Sequence, residues 1–281
     1  MKFIVLLFTV LLQKQTKQQG YQRKRTWFAR LTTLFPIKEM KTRGQVLSFG
    51  ALVIVPSLVL GFIVASLTGL FGSILALVLQ VGVLLYILGR DDFSQRFETY
   101  KACWERDDYQ GAYECASQFL NVHDQSVINN PCELHKAVSR AVVYAWFLRF
   151  FVFAFWFLVG GVAGALACLL TYWFYREFKL GWVKSVLGAM EWVPSRLLAL
   201  TTALVGDFSE SFPPAVKSLL DFQSTPKDVL IKTVFAKEEL ESANFDCQRA
   251  DGDLQETNQL MFRSAVIWLL FVAILTVFTG F

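Results

Sequence analysis

Between Gly44 and Gly89 this chain carries no charged side chain, a run of 46 residues. As one helix it would measure about 69 Å, more than twice the ~30 Å hydrocarbon thickness of a bilayer. It therefore reads as two membrane spans, near Val46–Ser66 and Leu67–Leu88, joined by a turn. Ala265–Phe278 reads as another span with Arg263 at its mouth, within a C-terminal segment taken as 263–281. At 54% hydrophobic and with 27 Phe, the composition is far too apolar for an ordinary soluble domain. The expected fold class is all-α: a polytopic integral membrane protein with about four membrane-embedded helical segments or hairpins and helical cytoplasmic loops.

Charge distribution orients that picture. Gln13–Gln45 holds nine Lys or Arg against one acid, Glu39. Beside a membrane span such a block acts as a cytoplasmic retention signal rather than a nucleic-acid surface. No basic stripe interleaved with stacking aromatics follows, so nucleic acid is not an expected partner; the lipid bilayer is. Residues 1–12 begin like a signal peptide, yet Gln13-Lys-Gln-Thr-Lys stands where a small-residue cleavage site would be needed. They are expected to form an uncleaved interfacial or buried helix, with the basic segment completing a region 1–45.

After the first hairpin, 46–88, comes a polar loop, 89–140. Phe93, Phe97, Tyr100 and Trp104 recur there at helical spacing and define one apolar face. Arg106–Tyr113 reads as a helix–turn–helix joint, with Tyr113 and Phe119 continuing that face; Asn121–Pro131 reads as a loop. Ala141–Tyr175 then holds 35 residues with Arg149 as its one charge. At about 52 Å of helix it falls short of two full spans. One tilted span, or a shallow hairpin turning at Gly160-Gly161, both fit. Basic residues flank both ends, so charge alone leaves the sidedness tied. The small-residue pairs Gly160/Gly164 and Gly161/Ala165 favour close helix packing within the chain over a dimer face, and the oligomeric state stays open.

The loop 176–262 contains the most distinctive stretch, Glu191-Trp-Val-Pro-Ser-Arg196 to Gly206-Asp-Phe208. Pro194 reads as a helix-starting residue and Gly206 as a stop. That arrangement puts Arg196 in the first turn and Asp207 just past the end, the reverse of what the helix dipole favours. Such charges are expected to face something other than their own helix. Glu238–Glu256 is acid-rich, lacks a sustained apolar face and reads as a solvated linker or mobile arm.

This block, 191–208, resembles the W-[VI]-P-x-R-L-x-x-[LV]-x-x-A-L-[VI]-G-D-F signature shared by the AmpE family and cobinamide-phosphate synthase. Phe155-Trp156-Phe157 to Gly164-Ala-Leu166 is similar to the family's F-W-x-x-x-G-G-x-x-G-x-L, and Pro213-Pro-Ala to Ser218-Leu-Leu-Asp-Phe222 gives a third match. The L-G-D-P and H-P-V motifs of the synthase have no match in residues 1–45. Its H-P-x-P-N-S-G-W-P block is missing as well, and Phe153 replaces the proline of A-P-L-F-W. The AmpE resemblance implies a multi-pass protein of the bacterial inner membrane that modulates β-lactamase induction linked to cell-wall recycling, more a regulator than an enzyme. Its implied partner is a cell-wall-recycling component, to which the residues around Arg196 add an anionic small molecule. The synthase branch implies the alternative, a membrane-embedded transferase. Resemblance to an enzyme of cytoplasmic substrates also tips 141–175 toward the hairpin, placing 176–262 in the cytoplasm and the C-terminus in the periplasm.

The candidate ligand-binding residues are Arg196, Trp192, Glu191, Asp207, Asp221 and Arg149. A guanidinium beside exposed N–H groups at a helix start suits a phosphate or carboxylate; the competing reading is an ion pair with Glu191 or Asp207. Asp207 and Asp221 fit a cap or an ion pair better than a metal. Arg149 either snorkels to the interface, the favoured reading, or lines a polar pocket. No catalytic residue, cofactor or metal site is expected. Cys132-x-x-His135 has half a metal spacing without a second half. Gly181-Trp-Val-Lys-Ser185 lacks the glycine cradle of a phosphate loop. The five cysteines form no framework and are expected to be reduced.

Overall fold

The computed structural model describes residues 2–15, 28, 40–88, 93–117, 131–206, 208–236 and 250–279. Every regular element among them is helical. Four runs are long and apolar enough to cross a membrane: Thr42–Ser66, Gly69–Leu88, Glu133–Phe178 and Leu254–Thr276. The chain is an all-α polytopic membrane protein.

It divides into two compact units, one of residues 1–90, 152–191 and 269–281, the other of 91–151 and 192–268. In the first unit, α1 (Lys2–Gln15) lies along α4 (Gly69–Leu88) and buries Val5 and Leu6. Helices α2 (Thr42–Phe49) and α3 (Val55–Ser66) are joined by a π-helical turn, Gly50–Ile54. Pro56 has no N–H to continue a regular ladder. The wider turn absorbs this, with the Val55 N–H reaching back to the Gly50 carbonyl. Outward residues such as Phe71, 86% exposed, form the lipid-facing side.

Helix α8 (Val152–Phe178) packs on α3 and α4. Its backbone leaves the helical region at Gly161, with φ +62° and ψ −156°. The consequence appears three residues on: a Cβ built on Gly164 would stand 2.5 Å from the Trp156 carbonyl oxygen. Residues eight apart in a straight helix are about 12 Å apart along its axis, so α8 folds back on itself and its limbs touch where only glycine fits. Helix α9 (Gly181–Val205) gives its first half to this unit, where Phe49 sets its ring edge-on against Phe174 and Trp182.

The second unit contains α5 (Phe93–Trp104), α6 (Tyr109–Ser117), α7 (Pro131–Trp146) with a following π-helical turn (Phe147–Phe151), and the second half of α9. It continues with α10 (Phe208–Leu219), α11 (Pro226–Val234) and the start of α12 (Ala250–Thr279). Phe97, Tyr100 and Trp104 are buried on one face of α5, against Leu134, Val138 and Leu254. Tyr113 departs from the expected face and is exposed, because α6 approaches through the small Ala112 and Ala116 instead. Burial pushes the Cys115 thiol up in pKa and neighbouring Cys103 adds to it, so the Cys115 thiol stays protonated near neutral pH. Ala250–Glu256, expected as linker, is instead the first two turns of α12, held there by the docking of Leu254. Phe119, His123 and Cys247 lie outside the described residues.

Candidate functional site

Helix α9 does not begin at Pro194. It starts at Gly181 and runs through the proline, which corrects the placing of Arg196 in a first turn beside free N–H groups. An internal proline leaves the carbonyl four residues earlier without its helical donor. That carbonyl belongs to Met190, and the Trp156 indole N–H donates to it at 3.1 Å. The helix thus tolerates Pro194 because a tryptophan 34 positions away supplies the missing donor.

Two residues past the proline, Arg196 is 2% exposed. Its Nε–H donates to the Ser218 carbonyl at 3.3 Å. Nη1 donates to the Trp192 carbonyl at 3.4 Å and to Ser195 Oγ at 3.0 Å. Nη2 donates to the carbonyls of Asp221 at 2.8 Å and Ser224 at 3.2 Å. A guanidinium has five N–H groups, and these acceptors account for all of them. Its carbon also sits 4.7 Å from the centre of the Trp192 ring, and Trp192 stacks on Phe222 with centroids 4.9 Å apart and planes 7° from parallel. Cation, indole and phenyl thus form a layered stack.

The segment that Arg196 grips is the corner between α10 and α11. Asp221 organises it from within: its carboxylate accepts the N–H groups of Gln223 at 2.8 Å and Ser224 at 3.1 Å, and the Ser224 hydroxyl. Those bonds, the Ser224 hydroxyl foremost, hold the Asp221 pKa down to about 2. Thr225 then caps α11 by accepting the Asp228 N–H at 3.2 Å.

Of the residues singled out in the sequence, the structure gathers Trp192, Arg196 and Asp221. The ion pair weighed with Glu191 or Asp207 gives way, among the described residues, to four carbonyl oxygens and the Ser195 hydroxyl as the acceptors of Arg196. Glu191 is buried and belongs to the first unit. Arg149 is half-buried in the π-helical turn after α7. Asp207 lies outside the described residues. Phe222, Ser218 and Ser224 complete the cluster and were not singled out, because the two serines meet Arg196 only through backbone oxygens. The one hint was the place of Ser218 and Phe222 inside the third matching segment, 213–222. His135 is buried against Tyr100, whose hydroxyl is 3.2 Å from Nδ1. Among the described residues no three His, Cys, Asp or Glu side chains gather closely enough to hold a metal.

A profile of the family described as regulatory signalling modulator protein AmpE matches residues 5–281. The chain is 23% identical over 181 residues to Protein AmpE of Shigella flexneri, covering 59% of this chain and 63% of that relative. It thus spans somewhat less than two thirds of the length of the curated relative it matches. No solved structure matches.

Proposed function

The chain belongs to the AmpE family, and from that premise we propose that it is an inner-membrane regulator modulating β-lactamase induction in step with cell-wall recycling. The observation that supports this reading most is the extent of the match, which runs from the first helix through the Arg196 corner to the last span. Deleting the gene in its own host should change the β-lactamase activity induced by a β-lactam, and the wild-type gene should restore it. Unchanged induction across a range of inducer concentrations would remove the proposal.

We further infer the sidedness. The reversal at Gly161 supports a chain that enters and leaves the membrane on one face, with 89–140 and 176–262 both cytoplasmic and the C-terminus periplasmic. Single cysteines at Glu105 and Asp228, in a chain whose native cysteines are alanine, test it. Both should resist a membrane-impermeant maleimide in intact cells and react after lysis. Labelling at Asp228 alone in intact cells would make 141–175 a single span.

A second reading rests on the buried guanidinium with no carboxylate partner among the described residues. A cation held by oxygen dipoles, with the Asp221 carboxylate acting on it without a salt bridge, retains its charge, and that charge would favour an anionic ligand near Arg196. Such a ligand would have to displace one of the five present acceptors.

A further inference from the structure

We propose that Cys103 and Cys115 form a modification site, a dithiol that a low-molecular-weight disulfide oxidises to an internal disulfide, fastening α5 to α6. Both cysteines are half-buried, and a side-chain hydrogen bond joins them. Both pack against the cluster that holds Tyr100, Trp104, Ala112 and Ala116. Cys168 gives the contrast: at 3% exposed on α8 it is a packing thiol.

The turn between the two helices brings the sulfurs together. Asp107 makes the corner in the left-handed region, at φ +57°. The Asp108 N–H donates to the Cys103 carbonyl at 3.0 Å, and the Asp108 carboxylate accepts the Gly111 N–H at 2.9 Å. Ala112 and Ala116, three residues before and one after Cys115, are both buried. Side chains this small let α6 close on α5 until thiol meets thiol. A disulfide needs its sulfurs ~2.05 Å apart and its Cβ atoms ~3.8 Å apart. Thiols already in hydrogen-bonding contact approach that by side-chain rotation and a small shift of a short hairpin, with neither helix unfolded. Two sulfurs are half of a tetrahedral metal set, and no third described His, Cys, Asp or Glu gathers with them. Thiol–disulfide exchange is the chemistry the pair can perform.

In that exchange one protein thiolate attacks a sulfur of oxidised glutathione, forming a mixed disulfide and releasing a glutathione thiolate. The second cysteine gives up its proton and attacks the protein-side sulfur, releasing the other glutathione. Two electrons pass to the oxidant, and the two protein thiol protons end on the two glutathione thiols. The surroundings of Cys115 set the pace. Burial first, then Cys103, then the Glu114 and Asp108 carboxylates hold its thiol protonated at neutral pH. Oxidation is therefore slow at neutral pH and faster in alkali, where more thiolate is present. The same property makes Cys115 a poor leaving group, so the bond once made breaks slowly. In a reducing compartment the pair rests as a dithiol and responds only to sustained oxidation.

The test uses the full chain in detergent, with Cys132, Cys168 and Cys247 replaced by alanine. Oxidised glutathione and, separately, the smaller oxidant diamide are applied in mildly alkaline buffer. Both thiols should vanish from a colorimetric thiol count under either oxidant. The intact mass should fall by two hydrogens with no glutathione retained, and a reductant should restore it. The melting temperature should rise by several degrees, since the bond constrains the unfolded chain. Cys103→Ser and Cys115→Ser should each keep a glutathione adduct and gain no thermal stability. Peptide mapping of the oxidised chain with all its native cysteines should recover Cys103 linked to Cys115, which repeats the test without any substitution. Survival of both thiols under both oxidants would overturn the proposal. So would glutathione left on both sulfurs at equilibrium, covalent dimers in place of the internal bond, or an internal bond that lowers the melting temperature.

Discussion

Arg196→Ala will accumulate poorly in the membrane and melt well below the wild type. The substitution strips donors from the Ser218, Asp221 and Ser224 carbonyls, and each buried acceptor left unmade costs about 1–3 kcal/mol. Relaxation of the corner will recover part of that, leaving a net loss of roughly 3 kcal/mol or more. Arg196→Lys keeps the charge but offers three donors from one point in place of a planar fork of five. It should recover less than half of the lost stability. Leu197→Ala, on an exposed position of the same helix, should change little. Thermal unfolding in detergent and membrane protein level measure all three. If Arg196→Ala folds and melts like the wild type yet abolishes β-lactamase induction, the residue serves a ligand and not the corner.

The second large effect is expected where α8 folds back. Gly164→Val introduces a Cβ 2.5 Å from the Trp156 carbonyl oxygen. Backbone cannot yield there without separating the limbs, and overpacking of this kind costs about 1–3 kcal/mol or more. Gly161→Ala meets no neighbouring atom within 4 Å. Its penalty comes from φ +62° and ψ −156°, a region nearly closed to residues with a Cβ, at a cost on the order of 1–3 kcal/mol. Gly160→Ala has open space and an ordinary φ, and should be nearly neutral. The predicted order of melting temperatures is therefore Gly160→Ala highest, then Gly161→Ala, then Gly164→Val. Equal behaviour of Gly160→Ala and Gly164→Val would mean that the limbs do not pack on each other.

These two sites differ in how far the residues alone foretold them. A run of 46 uncharged residues dictates membrane helices whatever its partners, since length and hydropathy are properties of the chain itself. The aromatic face at Phe97, Tyr100 and Trp104 is likewise local, because helical period alone places those rings together. The glycine pair at 160 and 161 marked a break for the same reason, as a residue without Cβ is where a backbone can leave the helix.

Arg196 was conspicuous as a charge in an apolar stretch, but its partners were beyond sequence reasoning. They are main-chain carbonyls of Ser218, Asp221 and Ser224, groups that every residue carries, so no side-chain pattern announces them. Pro194 was read as a helix start by its usual preference. It lies mid-helix because Trp156 donates to the Met190 carbonyl, a contact across 34 positions that overrides a local rule. Ala250–Glu256 lacks an apolar face of its own, yet forms helix because Leu254 docks among α5, α6 and α7. Local chemistry determined which segments are helical and enter lipid. Tertiary contacts decided where helices begin and which polar groups they satisfy, because an unpaired buried donor or acceptor can be met from anywhere in the chain.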